Sequence, residues 1–126
     1  MRILLDSHAF LWYAADSPEL SAASLAAIND PANVVFVSVA SLWEIAIKES
    51  LGKLKIIDLE ELLRRLDDED FQLLSVGTSH VRRIRALPFH HRDPFDRMLV
   101  AQALEEQLCF ISCDAILDLY GIDRLW

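Results

Sequence analysis

The stretch "NVVFVSVASLWEIAIK", residues 33–48, decides the fold class. Its first part, 33–38, is β-branched and almost wholly apolar. Such a run without alternation fits a strand covered on both faces, as in a parallel sheet. The chain then turns at once into a pattern with helical spacing, residues 38–54, with Gly52 near its end. A fully buried strand followed by a helix is half of a βαβ unit.

The same alternation recurs in both directions along the chain. Residues 2–5, RILL, read as a short buried strand, and 7–15 as a helix with Ser7 as a candidate N-cap. Residues 18–29 read as a second helix with Pro18 in its first turn. Downstream, 58–70 is an amphipathic helix, 71–76 a strand, 78–88 a helix closed by Pro88 and 93–107 a helix. Residues 109–112 form another strand, 115–121 a short helix, and 123–126 an added edge strand. The expected fold is α/β: a three-layer α/β/α sandwich around a central, mostly parallel sheet of about five strands. Right-handed crossovers gather the strand C-termini at one edge, where open sheets of this kind bind ligands.

Length and composition agree with this reading. At 126 residues, 53% hydrophobic and 25% charged, the chain fits a single domain spanning 1–126 with a real core. No run suits a membrane span and the N-terminus lacks a cleavable signal pattern, so a cytoplasmic protein is expected. Cys109 and Cys113 are read as a core residue and a small residue at a strand exit, not as a disulfide or a zinc site. The net charge of −8 argues against a general nucleic-acid-coating protein. The charge is uneven, however. Residues 80–97 hold Arg82, Arg83, Arg85, Arg92 and Arg97 with three histidines, against only Asp93 and Asp96. This is a candidate basic face, with Arg92 and Arg97 as phosphate contacts and His90 and His91 turned to solvent or phosphate.

Three carboxylates fall at or within a turn or two of the expected ligand edge, and a fourth, Asp96, joins them if the N-terminus of its helix faces the site. Asp6 leaves the first strand, and Asp114 follows the strand at 109–112. Glu44 sits in the second turn of the helix after 33–38, and Asp96 in the first turn of the helix at 93–107. Crowded carboxylates repel one another and take up protons unless a cation intervenes. Hard oxygen donors without thiolate or clustered imidazole favour Mg²⁺ or Mn²⁺. Such an ion activates water and stabilises the charge that develops in phosphodiester cleavage. Each acid also has a plainer explanation. Asp6 and Asp114 suit helix caps, Glu44 a salt bridge, and Asp93-Pro94 an N-cap followed by proline at the first helical position.

In sequence the chain resembles the PIN-domain nucleases, and within them the VapC-like toxins of toxin–antitoxin pairs. The matching pieces are "ILLDSHAFLW", "VSVASLWEIAIK", "RDPFDRMLVAQA" and "FISCDAIL", in that order and over nearly the whole chain. The resemblance implies a five-stranded parallel sheet and a Mg²⁺- or Mn²⁺-dependent endoribonuclease acting on single-stranded or looped RNA. It implies that Asp6, Glu44, Asp96 and Asp114 are the metal-binding catalytic acids. Here Ser112-Cys113-Asp114 stands where many members have Thr-x-Asp. Asp93 is an extra acid to which no ligand role is carried. A cognate antitoxin and a homodimer are further implications. An antitoxin groove is expected on the early helices, around Phe10, Leu11, Trp12 and Leu20, together with Trp43. Two alternatives remain at this stage: a phosphatase-like α/β domain, and a non-catalytic interaction domain whose acids are structural. The first lacks the second aspartate and the lysine that such enzymes use.

Overall fold

A computed structural model describes residues 1–126. Five strands form one sheet: β1 (Arg2–Leu5), β2 (Val34–Ser38), β3 (Gln72–Leu74), β4 (Cys109–Ile111) and β5 (Asp123–Leu125). Their order is β3-β2-β1-β4-β5, and every neighbouring pair is parallel. The helices are α1 (Ser7–Ala14), α2 (Ala22–Asn29), α3 (Val39–Ser50), α4 (Leu59–Asp68), α5 (Thr78–Ala86) and α6 (Pro94–Glu106). A 3-10 turn, Ala115–Tyr120, precedes β5. The expected five-stranded α/β/α sandwich is therefore present, including the edge strand at the C-terminal end. No helix is long and apolar enough to cross a membrane.

The strand residues alternate between two cores, one on each face. Ile3, Leu5, Val35, Val37 and Ile111 pack with Phe10, Tyr13, Ile45 and Leu62 from α1, α3 and α4. Leu4 and Phe110 point the other way, against Leu99, Val100 and Ala103 of α6 and Leu117 and Tyr120. Two apolar faces on one sheet explain why the strands read as continuous hydrophobic runs.

Local chemistry sets the helix ends. Gly52, at φ +69°, closes α3, with Lys53 N–H donating to Lys48 O at 2.8 Å. Asp58 caps α4, accepting from Glu61 N–H at 2.8 Å. The helix expected from Pro18 begins four residues later, because Ser21 takes the cap and accepts from Ser24 N–H at 3.1 Å. Pro18 lies in the preceding turn. The first helix is capped by Asp6, not Ser7.

The early helices offer less open surface than expected, a cavity of about 270 Å³ lined by Trp12, Leu20 and Leu25. Phe10, Leu11 and Leu20 are 0%, 4% and 8% exposed, so they belong to the core beneath α1. Of the aromatic residues proposed for that surface, Trp43 alone is largely open, at 63%, with its ring 5.2 Å from Phe95.

Candidate active site

The strand order creates the site. The chain steps from β1 outward to β2 and β3, then returns to place β4 on the other side of β1. The switch point lies between β1 and β4, and the loops leaving their C-terminal ends diverge there. Asp6 directly follows β1 and Asp114 follows β4. A cleft of about 440 Å³ opens at this point, lined by Asp6, Glu44, Asp93, Asp96 and Asp114 together with Ser7, His8, Lys48 and Cys113. All four expected acids face one cavity, and Asp93 joins them.

Each acid is held by its own surroundings. Asp6 is 7% exposed and accepts from Ala9 N–H at 2.7 Å. Burial raises its carboxyl above the usual range, while the Ala9 N–H and the Ser112 hydroxyl oppose that shift. Ser112, fully buried, also accepts from Asp114 N–H at 3.1 Å, so one hydroxyl links the two strand exits. Glu44 is 8% exposed. Ser7 Oγ donates to its Oε1 at 2.5 Å, and Lys48 Nζ stands 3.4 Å from its Oε2. Asp114 is exposed and caps the 3-10 turn through Ile116 N–H at 3.2 Å. The capping roles considered for Asp6 and Asp114 are thus real, and both residues line the cleft as well.

Asp93 and Asp96 divide as their positions in the helix suggest, with one addition. Asp93 accepts from Phe95 N–H at 2.9 Å and Asp96 N–H at 3.1 Å, and Pro94 starts α6. That is a full N-cap. Its charge also bears on Asp96. The Asp96 carboxyl is pushed up to about 7, first by burial and then by the charges of Asp93, Asp6, Glu44 and Asp114. A carboxylic acid that titrates near neutrality marks a place where negative charge is in excess.

Sequence reasoning missed several lining groups. Ser7, a candidate cap by its position in the sequence, orients Glu44 instead. Lys48, one turn beyond Glu44, is the single lysine or arginine lining the cleft, and its i,i+4 spacing was visible in the sequence. His91, expected to face solvent or phosphate, stands behind the lining residues instead. It lies with Nδ1 2.8 Å from Tyr120 Oη and Nε2 3.5 Å from Asp96 Oδ2.

The expected basic face is only partly present. Arg97 is 5% exposed and turns away from the cleft. Its guanidinium donates to the carbonyls of Pro88 at 2.7 Å, Leu87 at 3.3 Å and Ile84 at 3.4 Å, and to Tyr120 Oη at 3.2 Å. It satisfies the carbonyls left open at the end of α5 and is no phosphate contact. His80 is 3% exposed and bridges Gly77 N–H to Glu106, at 2.9 Å on each side. Arg83 pairs with Glu105 at 3.4 Å. Arg82, Arg85 and Arg92 remain exposed.

The donor set is all oxygen, carries more negative charge than it can hold ionised, and is oriented by two buried hydroxyls. That chemistry fits a hard divalent cation. The carboxylates ring the cleft without converging, since no three His, Cys, Asp or Glu groups are already spaced to grip one ion.

The family model for the PIN domain matches residues 3–122. Comparison with curated protein sequences returns no significant match. Among solved structures, the chain is similar to VapBC2 from Rickettsia felis bound to a DNA fragment from its promoter. That match has 13% identity and a TM-score of 0.70, covering 99% of this chain and 98% of the other. It is similar to a toxin–antitoxin complex from Klebsiella pneumoniae at 17% identity, TM-score 0.64, covering 98% and 96%. It is also similar to VapC20 of Mycobacterium tuberculosis, a sarcin–ricin loop cleaving toxin, at 14% identity and TM-score 0.60, covering 95% of each chain.

Proposed function

Because the chain belongs to the PIN-domain family, we propose that it is a metal-dependent endoribonuclease and the toxin of a toxin–antitoxin pair. The observation that carries this reading is the ring of five carboxylates around one cleft, with Asp96 displaced to about 7. A purely structural set of acids would each be satisfied by local caps and pairs, whereas Asp96 has only the His91 ring, 3.5 Å away, against four neighbouring carboxylates. The structural relatives supply the biological context: complexes of toxin with antitoxin, and one sarcin–ricin loop cleaving toxin.

In this reading Asp6, Glu44, Asp96 and Asp114 hold Mg²⁺ or Mn²⁺, which when bound supplies an activated water and stabilises charge at the scissile phosphate. The protein's own groups prepare that event. Ser7 and Lys48 orient Glu44 toward the cleft. Ser112 couples the carboxylate of Asp6 to the backbone of Asp114. Arg82, Arg85 and Arg92 draw in the RNA backbone despite the net charge of −8. The antitoxin is a protein that covers the cleft, and a basic segment suits its charge. A homodimer is the expected assembly.

The test is cleavage of a looped RNA by purified protein with Mn²⁺, with EDTA, and by Asp6→Asn. Cleavage that needs the metal and is lost in a folded Asp6→Asn supports the reading. Undiminished cleavage in EDTA, or by that variant, overturns it.

A further inference from the structure

A line of side chains runs from Arg97 through Tyr120 and His91 to Asp96, hydrogen-bonded as far as His91 and linking residues distant in sequence. Its donor and acceptor roles are fixed by counting. The Tyr120 hydroxyl has one proton to give and two acceptor positions. Arg97 Nη1, which can only donate, reaches it at 3.2 Å, and the His91 backbone N–H reaches it at 3.2 Å. Both acceptor positions are then taken. The phenolic proton goes to the remaining neighbour, His91 Nδ1, at 2.8 Å.

A neutral imidazole that accepts at Nδ1 carries its proton on Nε2. His91 Nε2 is buried and has no hydrogen-bond partner of ordinary length. Its near neighbour is Asp96 Oδ2 at 3.5 Å, a few tenths of an ångström beyond a good hydrogen bond. The ring cannot easily turn away. Its edge packs on Tyr120 at 5.5 Å, the neighbouring His90 packs on the same ring at 4.8 Å, and Arg97 lies 4.0 Å over Phe89. His90 and His91 are thereby held against the 3-10 turn, while Phe89 stays exposed.

We propose that His91 is a positioning residue for Asp96, locked by Tyr120 and Arg97 in the tautomer that presents an N–H to the Asp96 carboxylate. This commits one carboxylate oxygen to the imidazole and leaves the other for the cleft. It also accounts for a buried arginine beside the acid in sequence that makes no ion pair with it. The inference rests on the reading of Asp96 as an active-site acid.

The experiment joins a measurement on the metal-free protein to a set of variants. Long-range ¹H–¹⁵N spectra at pH 8 should show His91 as one tautomer, protonated at Nε2 and bare at Nδ1. Tyr120→Phe should mix the tautomers while the protein stays folded. His91→Leu should lower kcat for RNA cleavage and Mn²⁺ affinity, each by ten-fold or more, with KM for RNA little changed. His91→Gln, whose amide N–H₂ can stand in for Nε2–H, should recover most of both. A wild-type spectrum with the proton on Nδ1 overturns the proposal. So does a folded His91→Leu with wild-type kcat and Mn²⁺ affinity. Asp96→Asn separates the two readings: wild-type cleavage by that variant refutes the reading of Asp96 as an active-site acid, while the His91 tautomer stands or falls on the spectrum alone.

Discussion

Removing the charge of Asp96 should stabilise the metal-free protein, and only above a defined pH. The group is raised from 3.8 to about 7, with burial the largest cause. A carboxyl held protonated more tightly in the folded state contributes stability that is complete below its unfolded value. That contribution is lost as pH rises through the folded value. In EDTA the wild type should therefore weaken between about pH 4 and 7. At about 1.4 kcal/mol per pH unit the displacement sets a ceiling of ~4 kcal/mol. The side chain is 27% exposed, and screening by water brings the expected effect to roughly 2 kcal/mol. Asp96→Asn removes the charge with almost no change in shape. Urea unfolding in EDTA at pH 8 should show the variant more stable by that amount, with an unchanged m-value. At pH 4 the gap should largely close. Adding Mn²⁺ at pH 8 should reverse the order, because the ion binds only the folded wild type with full affinity. A variant less stable than wild type at pH 8, or a gap that ignores pH, would refute the claim that Asp96 sits in excess negative charge.

Asp93→Ala should cost about 0.5–2 kcal/mol by loss of the cap, whereas Asp93→Asn should keep the cap and lower the titration point of Asp96, readable by NMR of its carboxyl. Arg97→Leu should destabilise the fold by about 3 kcal/mol or more, since it strips partners from buried carbonyls, yet leave the salt dependence of RNA binding unchanged; replacing Arg82, Arg85 and Arg92 with alanine should flatten that dependence and spare the melting temperature.

Much of this molecule is written in local pattern. The apolar runs at 2–5, 33–38 and 109–112 announce strands covered on both faces, because a parallel sheet leaves no polar side. Asp58 and Asp93-Pro94 announce helix starts, because a cap acts within three residues. Asp6 and Asp114 follow strand runs, so their presence at the ligand edge could be inferred once the sheet was taken as parallel. What local pattern cannot carry is the pairing of residues far apart in the chain. Arg97 has the sequence context of a surface phosphate contact, and its burial comes from α5 ending where α6 passes over it. The large residues of α1 looked surplus until α4 and Phe71 covered them. Ser7 meets Glu44 because β2 pairs beside β1, and His91 meets Tyr120 because β4 and the 3-10 turn after it pack against α6. Pattern along the chain therefore determined most of the elements and which acids follow the strand runs. The order of the strands decided which side chains surround those acids, since hydrogen bonds and burial depend on distances that only the packed sheet sets.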